Sequence, residues 1–172
     1  MNVLIINGDP DRESLETSAA IAYRQAAEHA ADRVDEITIS ELNRAPESRN
    51  FDSDELAEAR KKIEAAHHLV WVQPSLKAGF PGGTSVFVQM LFNQKKIYKG
   101  KTARIITTME EKGWKYRWLK GRWLVNKLKK GVLEKTGIYS VKVMNLGYIK
   151  EAKDEEQSEL LRKVASLGRE LG

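Results

Sequence analysis

Gly8-Asp9-Pro10-Asp11-Arg12-Glu13-Ser14 separates an apolar run, Asn2-Val3-Leu4-Ile5-Ile6-Asn7, from an Ala-rich stretch that reads as a helix from Leu15 to about His29. A strand, a turn and a helix start in that order direct several unpaired backbone N–H groups, and the positive end of the helix dipole, toward the strand's carboxyl end. An anion such as a cofactor phosphate can be held there. The spacing is neither the G-x-G-x-x-G of a dinucleotide crossover nor the G-x-x-x-x-G-K-[ST] of a P-loop, since Gly8 stands alone. The same residues can also close the helix by themselves, because Asp9, Asp11, Glu13 and Ser14 are of the types that cap helix starts. Both readings stay open at the level of the residues.

Other chemistry is sparse. The 172 residues contain no cysteine, which removes disulfides, thiolate metal sites and thiol catalysis together and is compatible with a reducing cytosol. His29, His67 and His68 have no metal-ligand spacing, and neither G-x-S-x-G nor H-E-x-x-H occurs. Met1 leads directly into a strand without a basic and then apolar leader, and no stretch is long enough to span a membrane. With 41% apolar residues, the expectation is one domain over residues 1–172, soluble and cytoplasmic.

The elements that would position the first loop alternate along the chain. Arg33 to Ser40 has period-2 apolar spacing and reads as a second strand. Ser53 is expected to cap a helix running to about Ala66, followed by a buried third strand, His68 to Gln73, that Pro74 ends. Gly79 to Gly83 is turn-rich, Thr84 to Phe92 a short apolar helix, and Thr102 to Thr108 a fourth strand. A fifth strand is expected near Tyr139 to Leu146, and an amphipathic helix from Lys153 to Leu171 with Leu160, Leu161, Val164 and Leu167 inward. Strands separated by helices pair in parallel through right-handed crossovers, so the fold class is an α/β three-layer sandwich with a five-stranded parallel sheet in order 2-1-3-4-5. A ligand then belongs in the crevice at the switch point between strands 1 and 3. Three loops meet there: Gly8 to Ser14, Pro74 to Pro81, and Thr107 through Met109 and Glu110.

On these segments the chain resembles the flavodoxin-like NAD(P)H-dependent oxidoreductases, the group holding NAD(P)H:quinone reductases and the bacterial modulator of drug activity B proteins. NGDPDRES is similar to their G-H-P-x-x-x-S loop, with Asp9 at the histidine and Ser14 at the serine. PSLKAGFPGGTSVFVQMLF aligns without a gap to P-L-W-W-G-x-x-P-A-x-L-K-G-x-x-D-R-V-F, keeping Pro74, Gly79, Pro81 and Phe92. TARIITTMEEKGWKYRW follows their fourth strand and the loop behind it. The resemblance covers nearly the whole chain and implies a flavodoxin-like fold, FMN or FAD (FMN preferred) as cofactor, NAD(P)H as reductant and a small-molecule acceptor such as a quinone. It also implies a homodimer whose partner completes the pocket. By the same resemblance, Asp9, Ser14, Leu15 and Glu16 would meet the flavin phosphate, and Pro74, Ser75, Leu76, Lys77 and Ala78 the ring. Thr107, Thr108, Met109 and Glu110 would meet its pyrimidine edge. Lys77 and Tyr116 are the candidate catalytic groups, Lys77 facing the flavin N1/O2 edge and Tyr116 covering the ring or donating to a reduced oxygen. Tyr116 and Trp114 can equally anchor a loop.

Departures from the pattern are specific. Lys77 and Ala78 replace an aromatic pair beside the flavin, removing stacking worth about 1 kcal/mol. Glu16 stands where the quinone reductases carry a neutral asparagine, and the family's P-G-F-A-F-type segment after the Phe92 position is missing. A second class of function therefore stands beside the enzyme: a flavodoxin-like binding or regulatory module without flavin. Charge raises a third. Between Lys95 and Lys135, fourteen Lys and Arg against three acids give +11, leaving −6 for the rest of a +5 chain. Lys115 to Trp123 interleaves aromatics with cations, as a nucleic-acid surface can. A solvated face, or a positive field that attracts dinucleotide phosphates, explains the same residues.

Overall fold

Val, Ile and Leu fill β1 (Asn2–Asn7), β3 (His68–Gln73) and β4 (Thr102–Met109), as central strands covered on both faces require. All six residues of β3 are buried. The structure, a computed structural model, describes residues 1–9, 11, 13–42, 51–74, 82–93, 95–109, 121–148 and 153–171. With β2 (Arg33–Thr38) and β5 (Ser140–Tyr148) at the edges, the strands form one parallel sheet in the order β2-β1-β3-β4-β5. This is the expected order.

Helices cover both faces. On one, α1 (Leu15–Ala27) and α5 (Asp154–Glu170) enclose Val3, Ile5, Val70, Val72, Ile106 and Leu146. On the other, α2 (Ser53–Ala65), α3 (Gly82–Leu91) and α4 (Gly121–Leu128) pack with Leu4, Ile6, Leu69, Trp71 and Ile105. The alternation of Leu4 and Ile6 against Val3 and Ile5 is the strand's period of two. Trp71 sits edge-on to Phe87 and Phe92, with centroids 6.3 and 5.2 Å away, and Phe92 stacks on Tyr98 at 4.8 Å. Phe87 and Phe92 thus belong to the core. Val164 of α5 is fully buried, with Leu160, Leu161 and Leu167 packed around it as their spacing predicts.

Boundaries differ from expectation where side chains compete for the backbone. β2 stops at Thr38, and Ile39–Glu41 turns into a 3-10 helix while keeping Ile39 in the core. Asp52, and not Ser53, caps α2: its carboxylate accepts from the N–H groups of Asp54 (2.9 Å) and Glu55 (3.4 Å). A helical stretch unpredicted from the sequence follows β4. α4 continues through a π-helical turn, Lys129–Leu133, into Glu134–Thr136, and ends at Gly137 with φ 103°. Val132 and Leu133 reach the core from that turn.

One irregularity bears on the site. Thr107 pairs with Asn145 but Met109 pairs with Tyr148, so Thr108 alone faces two residues of β5, Leu146 and Gly147. Gly147 takes φ 82°, a left-handed conformation natural to glycine, and its N–H bonds to Asn145 Oδ1 at 2.7 Å. Among the described residues no helix is long and apolar enough to cross a membrane, and no group of three His, Asp or Glu could hold a metal.

Candidate functional site

Gly8 is fixed by contact. Its N–H bonds to Val72 O at 2.9 Å, and its carbonyl accepts from Thr84 Oγ1 (3.3 Å) and Gln73 Nε2 (3.5 Å). A Cβ here would fall 2.1 Å from Gln73 Oε1, so glycine lets the first loop pass this close to the end of β3 without displacing the Gln73 side chain. The carboxyl ends of β1 and β3 and the start of α3 are thereby held at the switch point. Sequence reasoning missed Gln73 and Thr84. Their signal was a Gln closing an otherwise apolar strand and a Thr opening an apolar helix.

Beyond Gly8 the loop satisfies itself stepwise. Asn7 Oδ1 accepts from Asp9 N–H (3.1 Å), Asp9 Oδ1 from Asp11 N–H (2.9 Å), and Asp11 Oδ1 from Glu13 N–H (2.9 Å). Ser14 is the N-cap of α1 and accepts from Thr17 N–H at 3.0 Å. Thr17 Oγ1 donates to Asp11 O (2.8 Å) and accepts from Asn7 Nδ2 (3.2 Å), tying the helix back to β1. Apart from the Asn7–Thr17 side-chain pair, these are local side-chain-to-backbone bonds of the kind that Asn, Asp, Ser and Thr readily make.

Glu16, in the first turn of α1, is 5% exposed, an unusual position for a carboxylate. It accepts a hydrogen bond from Thr108 Oγ1, and its own backbone N–H also bonds to it. Burial raises the Glu16 carboxyl above its ordinary value, the bonds from Thr108 and its own N–H pull it back, and the charges of Asp9 and Asp11 push it up again. Asp9 is itself 6% exposed. With Thr17 N–H on Ser14 Oγ and Glu16 N–H turned to its own side chain, the chain takes two donors of the helix terminus for itself.

The sequence-selected residues fall as follows. Asp9, Ser14, Leu15, Glu16, Pro74, Thr107 and Thr108 are described; Asp9 and Glu16 meet at the start of α1, and Thr108 joins them from β4. Thr107 is buried, with Oγ1 donating to Thr108 O at 3.3 Å. Pro74 is buried at the end of β3. Met109 is described as backbone at the end of β4. Ser75, Leu76, Lys77, Ala78, Glu110 and Tyr116 lie outside the described residues, and so does Trp114. The described cavities lie elsewhere. One of about 190 Å³ is lined by Glu36, Thr38, Glu41, Glu55 and Lys62, and an open groove of about 660 Å³ by Arg104, Lys142, Met144, Lys163 and Leu167.

A flavin can be tested against this geometry only at its side-chain end. The buried carboxylate of Glu16, on which the charges of Asp9 and Asp11 also act, weakens the hold of this helix start on a dianionic phosphate. Like charges about 4 Å apart repel by roughly 1 kcal/mol in bulk water and by more where water is excluded.

No curated protein matches the sequence. Among solved structures the chain is similar to Smu.1420 from Streptococcus mutans UA159, with a TM-score of 0.79 at 21% identity over 99% of this chain and 100% of that one. It is also similar to the NAD(P)H:quinone oxidoreductase from Methanothermobacter marburgensis, with a TM-score of 0.78 at 15% identity over 100% and 99%. The FMN-dependent NADH-azoreductase from Bacillus anthracis, solved with FMN, gives a TM-score of 0.75 at 12% identity over 99% and 98%. At these identities the likeness is one of fold. Residues 1–167 match the family described by its flavodoxin-like fold, and the chain belongs to that family.

Proposed function

We propose that this protein is a flavin-dependent NAD(P)H oxidoreductase that reduces quinones or related small acceptors by hydride transfer. The observation that carries the reading is the convergence at the β1/β3 switch point, where Gln73 and Thr84 close on Gly8 and Thr108 reaches Glu16. In open α/β sheets that crevice is where ligands bind. The NAD(P)H:quinone oxidoreductase and the FMN-dependent azoreductase with the same fold support the choice of chemistry.

Hydride acceptance and donation belong to the flavin when bound; the chain's part is to position and to exclude water. In this reading the segments Asp9–Glu16, Pro74–Ala78 and Thr107–Glu110 form the site, with Lys77 and Tyr116 nearest the reacting ring. We assign FMN or FAD, with FMN preferred, either nicotinamide as reductant, a cytoplasmic location, and a homodimer acting through one domain over residues 1–172. The test follows NADH and NADPH absorbance with added flavin and a benzoquinone. Oxidation that requires protein and flavin together is expected, and rates equal to the protein-free control refute it.

The buried acids at the helix start favour a second reading, a flavodoxin-like module that binds no flavin. Failure of every flavin to bind would select it. A nucleic-acid role loses ground within the basic segment itself. Lys101 there donates to the carbonyls of Glu64 (2.9 Å) and Ala66 at the end of α2, and Arg104 is 4% exposed.

A further inference from the structure

We infer that the open groove between the β4–β5 edge of the sheet and the second half of α5 is a second ligand site, one for a small amphipathic carboxylate. It stands apart from the switch-point crevice and from the flavin reading. Arg104, on its floor, precedes Thr108 by four residues on β4, about 13 Å toward the other end of the sheet.

The starting point is an arginine in a strand covered on both faces. Arg104 stands between Ala103 and Ile105 and is 4% exposed, although arginine is among the residues least often buried. Its ladder neighbour on β5 is Lys142. Residues in register on adjacent parallel strands share a face and lie about 4.8 Å apart, so two cations stand side by side where like charges destabilise a sheet. Lys163 of α5 lines the same groove, and no lining residue is acidic. The charge also reaches inward. With burial as the first cause, Arg104 and Lys142 hold His68 down at about 4.

On the α5 side, Glu159 pairs with Lys163 Nζ at 2.7 Å, and Glu170 accepts from Ser166 Oγ at 3.2 Å. The Lys163 and Glu159 side chains are both more than half exposed, and such surface pairs contribute little, so a ligand can compete for the lysine. The cations call for an anion. Val143, Met144, Leu167 and the lysine stems supply apolar wall, and a volume of about 660 Å³ suits an organic molecule and not a bare ion. A carboxylate between Lys142 and Lys163, with Arg104 beneath, would offset the repulsion among the three cations. Its apolar body would lie along Met144 and Leu167.

The experiment titrates the isotope-labelled full chain with octanoate, acetate and 1-octanol, following amide shifts by NMR. Octanoate should give saturable shifts centred on Arg104, Lys142 to Met144 and Lys163 to Leu167. It should bind at least about tenfold more tightly than acetate, which lacks the apolar body, or 1-octanol, which lacks the charge. Lys142→Gln, a change at an exposed side chain, should weaken octanoate by about fivefold or more and leave 1-octanol within about twofold. Moderate salt should weaken octanoate binding to wild type. Octanoate shifts that do not saturate or that centre elsewhere, three probes of similar affinity, or undiminished binding by Lys142→Gln would each overturn the inference. Every one of these outcomes leaves the flavin reading as it stands.

Discussion

At the scale of single residues, two buried titratable groups give the fold opposite pH dependences. Glu16 has a raised value in the folded chain, so between the ordinary 4.5 and that raised value the folded state holds more protons than the unfolded one. Stability therefore falls as pH rises through that window and stays lowered above it. Glu16→Gln should be more stable than wild type above the window and indistinguishable below pH 4.5, as read from urea unfolding across pH. His68 is the converse case. Burial first, then the charges of Arg104 and Lys142, lower it from 6.5 to about 4, and its Nδ1 lies 2.6 Å from Thr102 Oγ1. Its contribution is present above 6.5 and lost as pH falls toward 4, by up to about 3 kcal/mol. His68→Gln should lack this acid limb in the same titration. The burial of His68 was legible, since it opens a strand expected to be buried, but that of Glu16 was not. A Glu in a first helical turn is ordinarily a solvated, dipole-favoured residue, and what buries this one is Thr108, 92 positions further on.

At the scale of elements, the strands were the legible part. β3 and β4 are apolar on both faces, so periodicity and length identify them with no help from neighbours. In the helical stretch after β4, the part that was not legible is the π-helical turn Lys129–Leu133, which departs from the 3.6-residue spacing that a sequence can show. The β1–β3 junction offers the sharpest structural test. Gly8→Ala drives a methyl into Gln73 Oε1, which also accepts from Trp71 Nε1 at 3.4 Å, and should cost about 1–3 kcal/mol in denaturant unfolding. Combined with Gln73→Ala the loss should be smaller than the sum of the two single changes, because both act on one contact. Additive losses would place the strain elsewhere. At the other end of α2, Lys101 caps the final carbonyls as a cation should. Lys101→Met is expected to lower stability by about 1 kcal/mol and to speed amide exchange in the last turn of α2, leaving β1 amides unchanged.

For the whole molecule, alternation of strands and helices with right-handed crossovers left few topologies open, and the order 2-1-3-4-5 followed. The position of the crevice came with it. What could not follow was how the crevice is finished, since that depends on contacts between residues far apart in the chain, such as Gln73 and Thr84 with Gly8. The family's fold is shared by solved oxidoreductases at 12–15% identity, so the scaffold persists through wide change of sequence. The measurement that most directly tests hydride transfer to a flavin on this scaffold is anaerobic addition of one equivalent of NADH or NADPH to the protein loaded with FMN or FAD, followed in the visible spectrum. Loss of the oxidised flavin's absorbance, and its return on adding a quinone, is the predicted result. An unchanged spectrum with flavin demonstrably bound would contradict it.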